Sequence, residues 1–245
     1  ESLMHMHEGF FYVQIKNVSC RITLNQMNMK KLISVIFVSF FVVSVFAQQK
    51  RDLNEVEMYT PTENAVAYKA YNKGYKAFHR GNMYKAIKFY RIAVQNDNKF
   101  IDAIDNLGLS FRRAGMIDSA IYYYKMSIEL MPKNPLALNN LGIAYKAKGE
   151  MDKALETYLL LLEYDSTNAD GYYGAAEIYL EKGEYQKAID YAKVSYQTWR
   201  FSLPVWAGDA MVIIGRACVG LDDKEQARKA FKKAKELGVY VLPQD

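Results

Sequence analysis

From about residue 67 onward, apolar positions recur at three- and four-residue spacing, in segments of about 12 to 14 residues. That spacing predicts amphipathic helices, and the segments come in pairs. Gly74, Gly108 and Gly142 lie 34 residues apart; so do Gly81, Gly115, Gly149 and Gly183, and so do Ala86, Ala120, Ala154 and Ala188. A fixed period of this length marks stacked helix-turn-helix units. A small residue on the first helix lets the second approach, and the alanine of the second does the same in return. Aromatic residues fill the gaps between small ones. The later glycine of each unit ends the first helix with a left-handed turn. One pair cannot bury its apolar stripe alone, so the pairs are expected to stack into one continuous core.

The unit resembles the tetratricopeptide repeat, whose pattern runs W-x2-L-G-x2-Y, then A-x3-F, then P. The second unit reads Ile104-x2-Leu107-Gly108-x2-Phe111, then Ala120-x3-Tyr124, then Pro132. The third reads Leu138-x2-Leu141-Gly142-x2-Tyr145, then Ala154-x3-Tyr158. The first keeps Gly74, Gly81, Ala86 and Tyr90, with Ala70 and Lys73 in place of bulky residues. The fourth keeps Tyr172, Ala176, Tyr179, Gly183 and Ala188, but Ala192 stands in the aromatic slot. A fifth copy, Met211-x2-Ile214-Gly215-x2-Cys218 and Ala227-x3-Phe231, fits only after an insertion of five residues. The expected fold is therefore an all-α, right-handed solenoid over residues 67–241, with repeats near 67–100, 101–134, 135–168, 169–202 and 208–241.

Thr60-Pro61-Thr62-Glu63 reads as a capping box with proline in the first turn. It places the first helix from about Pro61 to Arg80, after a linker that begins at residue 48. At the other end Gly238 closes the last helix. Residues 29–47 carry a positive start at Lys30 and Lys31, the apolar stretch Leu32–Ala47, and small-residue cleavage positions at Val45 and Ala47. That is the three-part logic of a secretory signal peptide, short for a membrane span of about 20 residues. The expectation is export, to the periplasm of a Gram-negative bacterium, without stable membrane insertion after cleavage; the alternative is an uncleaved membrane anchor. Residues 1–28 would then be translated upstream sequence, with Met29 the start, and they are left out of the fold reading.

Charge changes this picture little. The formal net charge is +5, and removing residues 1–47 takes away Lys16, Arg21, Lys30 and Lys31 against Glu1 and Glu8. Near balance gives a nucleic-acid partner no support. Cys218 alone remains after processing, in a core slot of the fifth unit, so no intramolecular disulfide is expected. His79 is the one histidine beyond residue 47. With no strand pattern, phosphate loop, G-x-S-x-G or histidine-rich cluster, no catalytic residue, metal site or cofactor is expected.

The resemblance implies that the first helices line a concave groove that binds a protein or an extended peptide. Tyr68, Tyr71, Asn72 and Tyr75 fall on that face of the first unit, Asn106, Arg112 and Arg113 on the second, and Asn140 and Lys146 on the third. Asn72, Asn106 and Asn140 keep the 34-residue period, and Gly174 ends the row. Their carboxamides suit either a ladder for a peptide backbone or bonds between neighbouring helices. The tyrosines serve as ligand contacts or repeat core. The cations serve as a carboxylate site or a solvated face. The family's chaperone-tail receptors use five clamp positions, of which only Asn106 is kept here. Around the five-residue insertion, Trp199, Phe201 and Trp206 either close the junction or form a docking patch. The two functional expectations are an exported interaction scaffold and a structural subunit of an envelope or secretion assembly held by its convex face or ends. The sequence leaves the oligomeric state open.

Overall fold

The computed structural model describes residues 61–240 and three short segments before them, 3–7, 10–15 and 18–23. Those segments are β1 (Leu3–His7), β2 (Phe10–Ile15) and β3 (Val18–Thr23), an antiparallel meander in the order β1-β2-β3. Leu3 pairs with Gln14 and His7 with Phe10; Phe10 in turn pairs with Thr23 and Ile15 with Val18. These strands fall in residues 1–28, the segment left out of the fold reading. Phe10, Phe11, Tyr12 and Val13, and Val18, Ile22 and Thr23, are aromatic and β-branched residues that suit a pleated surface. The expected signal segment, 29–47, and Thr60 lie outside the described residues.

Residues 61–240 are helical, in ten segments: α1 (Ala65–His79), α2 (Met83–Asn96), α3 (Ile101–Arg113), α4 (Ile117–Leu130), α5 (Pro135–Lys148), α6 (Met151–Tyr164), α7 (Ala169–Glu181), α8 (Tyr185–Trp199), α9 (Pro204–Gly220) and α10 (Lys224–Glu236). Each helix packs on its neighbours in sequence. The first helices α3, α5, α7 and α9 also approach one another in succession, so they line the inner face. The result is a right-handed α-solenoid of five helix pairs.

The pairs are held by aromatic rings laid against residues without side chains. A methyl group added at Gly74 would sit 2.8 Å from the Tyr90 ring, at Gly108 2.7 Å from Tyr124, and at Gly142 2.7 Å from Tyr158. In the fifth pair the same contact is Gly215 against Phe231, at 2.5 Å. Tyr90, Tyr124 and Tyr158 are fully buried. The fourth pair replaces both partners with Ala176 and Ala192, which are also fully buried. Tyr158 fills part of that space from the preceding pair, because it lies against Gly174 as well. This explains why the asparagine row stops at Gly174: a side chain there would strike the ring.

The turns follow one plan. Gly81, Gly115, Gly149 and Gly183 have φ of +76°, +79°, +83° and +76°. In the first, Gly81 N–H donates to Phe78 O and Asn82 N–H to Ala77 O, at 2.9 and 3.0 Å, the paired bonds of a Schellman cap. Asp222 holds the equivalent place in the fifth pair with φ +57°, and Asp222 and Asp223 donate to Val219 O and Cys218 O. At the start, α1 begins at Ala65 rather than Pro61. Asn64 Oδ1 accepts from Val66 and Ala67 N–H, both at 3.0 Å, while its Nδ2 donates to Asn96 O at 2.8 Å. That double engagement selects Asn64 over the upstream capping box. Thr62 instead donates to Asp97 at the end of α2.

Left-handed backbone costs a residue with a Cβ roughly 1–2 kcal/mol, less for aspartate. Asp222→Gly is therefore expected to stabilise the solenoid by about 0.5–1 kcal/mol in a urea melt. A loss of stability would mean that the Asp222 carboxylate contributes more than its backbone strain costs.

Candidate functional site

The inner face divides into an open end and an engaged middle. At the open end Tyr68 is 39% exposed, and Tyr75 is half-buried with its ring 4.1 Å from that of His79. Asn72, half-buried between them in sequence, makes no side-chain hydrogen bond within the described residues. Tyr71 differs. It is 2% exposed, packed on Phe100 at 4.9 Å and on Tyr90 at 5.5 Å, and its hydroxyl accepts from Asn106 Nδ2 at 3.2 Å. Burial pushes its phenol well above the usual tyrosine range. Of the two roles open to Tyr71, ligand contact or repeat core, its burial fits the second: it belongs to the junction of the first two pairs.

The other two asparagines bond within the protein. Asn106 Nδ2 also donates to Asp102 O at 2.8 Å, one helical turn back. Asn140 is 7% exposed, and its Oδ1 accepts from Arg112 Nη2 at 3.3 Å. The periodic row is therefore not three equivalent rungs; only Asn72 keeps its carboxamide unengaged.

The basic middle is likewise spent internally. Arg113 lays its guanidinium 4.6 Å from the centre of the Phe78 ring in the preceding pair. Lys146 forms an ion pair with Glu177 of the next pair at 2.6 Å, both about a quarter exposed. Beyond it Tyr173, Glu177, Asp209 and Arg216 border a small recess of about 100 Å³ between α7 and α9. Burial raises the carboxyls of Asp170 and Asp209 above the usual range.

Among the described residues, no group of three or more His, Cys, Asp or Glu side chains is placed to hold a metal. Among the described residues, no helix is long and apolar enough to cross a membrane.

Comparison with known proteins agrees with this geometry. Family models described as TPR repeat and tetratricopeptide repeat match residues 108–149, 139–202 and 208–237. The chain carries tetratricopeptide repeats. The matches take in α4 to α8 and most of α9 and α10; the α1–α2 pair shows the same glycine–tyrosine contact and the same glycine turn.

No curated protein matches the chain significantly. Among solved structures, a crystal structure of MamA protein is 23% identical, with a TM-score of 0.61 over 73% of this chain and 98% of that one. MamA from Desulfovibrio magneticus RS-1 is 17% identical, with a TM-score of 0.64 over 72% and 97%. A tetratricopeptide repeat protein from Parabacteroides merdae is 19% identical, with a TM-score of 0.61 over 70% and 66%. At these identities the likeness is one of fold.

The five-residue insertion between the fourth and fifth tetratricopeptide repeats splits the expected docking patch. Trp199 ends α8 at 6% exposure, clustered with Ala169 and Ala207 and packed by Tyr173, Tyr196 and Leu237. It closes the junction and is withdrawn from the patch. Trp206, in the first turn of α9, is 51% exposed and meets Trp199 edge-on at 5.5 Å. Phe201 is 84% exposed beneath the Arg200 guanidinium, and Leu203 and Val205 are exposed beside them in sequence.

A residue that the groove pattern does not single out is Asp105. Its side chain is 5% exposed. Oδ2 accepts from Asn134 Nδ2 at 2.8 Å, and the same Nδ2 donates to Ser127 Oγ at 3.0 Å. Asn134 Oδ1 in turn caps α5 through Leu136 and Ala137 N–H. One network thus ties the second repeat to the start of the third. The only signal in the sequence is an acid on the inner stripe; its partners lie 22 and 29 residues downstream, where spacing says nothing about contact.

Burial raises the Asp105 carboxyl from 3.8 to about 6, against the lowering effect of Ser127 and Asn134. The folded state then binds this proton more tightly than the unfolded chain, so the group favours folding most below its unfolded value and less as pH rises through about 6. Asp105→Asn keeps an acceptor for Asn134 and removes the charge. It should stabilise the protein by up to about 3 kcal/mol at pH 7, since each tenfold gain in proton affinity corresponds to about 1.36 kcal/mol, and by far less near pH 4. Urea melts at both pH values check this; an equal effect at both would place the cost in packing rather than charge.

Proposed function

We propose that this chain is an exported interaction scaffold whose inner face binds an extended segment of a partner protein. The repeat solenoid supports the interaction role, since it presents one long face built from successive first helices. The observation that carries the groove reading is the open end of that face. Exposed Tyr68, half-buried Tyr75 and the unengaged Asn72 stand together on α1, where the other asparagines already bond within the protein. Tyrosine offers large contact area at few torsions with a polar tip, and a carboxamide can pair with peptide backbone. Arg112, Arg113 and Lys146 act in this reading as the braced floor of the groove rather than as free cations. Export rests on Lys30, Lys31 and the apolar Leu32–Ala47 stretch. The scaffold has no catalytic step, in keeping with repeat scaffolds in general.

A second reading, a structural subunit held from outside or at its ends, is favoured by the exposed Phe201, Leu203, Val205 and Trp206. A photo-crosslinking residue at position 68 or 75 separates the two from one at position 122, an exposed tyrosine of the second helix α4, or at position 201. Partner crosslinks from 68 and 75 are expected. Asn72→Ala with Tyr75→Ala should weaken binding of that partner by about 1–3 kcal/mol, with each net hydrogen bond worth roughly 0.5–1.5. Crosslinks confined to 122 or 201 would move the site off the inner face.

A further inference from the structure

At the rim of the inner face, between the start of α3 and the start of α5, lies a cavity of about 170 Å³. Its walls are Ile101, Pro135 and Leu136, and its polar lining is Asp102, Asp105, Asn106 and Asn134. The volume is several times the roughly 30 Å³ share of one water molecule and well below the roughly 300–1,000 Å³ of a drug-sized site. It suits one side chain. Asp105 lines the cavity while 95% buried, and its Oδ1 has no hydrogen-bond partner. A buried acceptor without a donor carries its desolvation cost uncompensated. Asn134 donates to Oδ2 and the Ser127 hydroxyl also hydrogen-bonds this carboxyl, Asn106 Nδ2 is spent on Tyr71 and Asp102, and Oδ1 is left without a donor. The charge felt by Asp105 is that of Asp102, of the same sign.

We propose that this cavity receives a primary ammonium group of the bound partner segment, a lysine side chain or a free N-terminal amine, with Asp105 as its buried acceptor. Two features together select that chemistry. Apolar walls match a methylene chain, which long cationic side chains bury while their charged tip finds a polar partner. The unpaired carboxylate oxygen needs a donor, and a cation there removes the cost of burying the negative charge. A neutral donor would leave that charge in place, and an anion would be repelled by Asp102 and Asp105. The proposal rests on the inner face being the binding face. It adds polarity to that face: an aromatic end at α1 that grips backbone, and a cation socket one to two repeats further along.

The test uses n-butylammonium, with 1-butanol as its uncharged counterpart, on the full chain at pH 7. The Asp105 carboxyl carbon is followed by NMR after isotope labelling of aspartate. Saturable displacement of that resonance by butylammonium, with the carboxyl titrating at lower pH when the ligand is bound, is the expected result. Butanol should bind at least tenfold more weakly. Asp105→Asn should weaken butylammonium binding at least tenfold. Should that variant misfold, Leu136→Trp, at an exposed wall residue that joins the hydrogen-bond network only through its backbone N–H, should block the cavity with the same loss. Nα-acetyl-lysine methylamide and alanine methylamide then separate the two sources; binding of either or both supports the proposal. Equal binding of butanol, no saturable displacement, or a response to butylammonium that neither amino-acid probe reproduces would overturn it. Crosslinking from positions 68 and 75 reports on the groove independently, so a failed socket and a failed groove are told apart.

Discussion

The distance between the two helices of a repeat is set by an aromatic ring resting on a residue that has no Cβ. At Gly74, Gly108 and Gly142 even a methyl group would fall within 2.8 Å of the facing tyrosine ring, closer than carbon atoms in contact come. Interiors are packed to crystal-like density, so such a contact cannot yield by a few tenths of an ångström without moving neighbours. Every other regularity follows from it. Close paired helices need a tight reversal, which the left-handed glycines supply. A constant pair geometry repeated at a constant period makes the first helices fall in register, and that register is what creates one continuous inner face.

The same constraint shapes the inner face. Where the fourth pair gives up its own aromatic, Tyr158 spans two repeats and takes the position that would have been the fourth asparagine. Bonds across repeat junctions then use the polar side chains of the middle: Asn106 with Tyr71, Arg112 with Asn140, Lys146 with Glu177, Asp105 with Asn134. They stiffen the groove floor and leave its distinct chemistry at two places, the aromatic end on α1 and the acid-lined cavity between α3 and α5. A groove that is rigid before binding loses less entropy when a partner is ordered upon it.

Much of the fold is legible in the sequence because its determinants are local. A residue that must adopt positive φ, or must have no side chain, leaves a mark at one position, and the 34-residue period repeats that mark. Asp222 takes the glycine place five residues late, as the out-of-phase fifth copy requires. The site is less legible, because its state depends on partners that spacing does not reveal. Tyr71 and Asn140 sit on the inner stripe by helical angle, yet they turn inward at its edge, toward Phe100 and Arg112. Asn64 displaces the expected capping box because Asn96, from another helix, engages its amide. Trp199 and Trp206 lie close together at one insertion but fall on opposite sides of its turn, so one is core and the other surface. The strands at residues 3–23 escape any reading that treats that segment as upstream sequence, although their aromatic and β-branched residues favour a pleated surface.

The most direct test of the aromatic-on-glycine account is a double-mutant cycle on Gly108 and Tyr124, read by urea unfolding. In the wild-type background Gly108→Ala should destabilise by about 1–3 kcal/mol, as overpacking does, although alanine is the better helix former by about 1 kcal/mol. In a Tyr124→Leu background, with the ring gone, the same change should be neutral or stabilising, giving a coupling energy above about 1 kcal/mol. Additive effects, with Gly108→Ala costing the same in both backgrounds, would contradict the claim that this contact sets the spacing of the repeat.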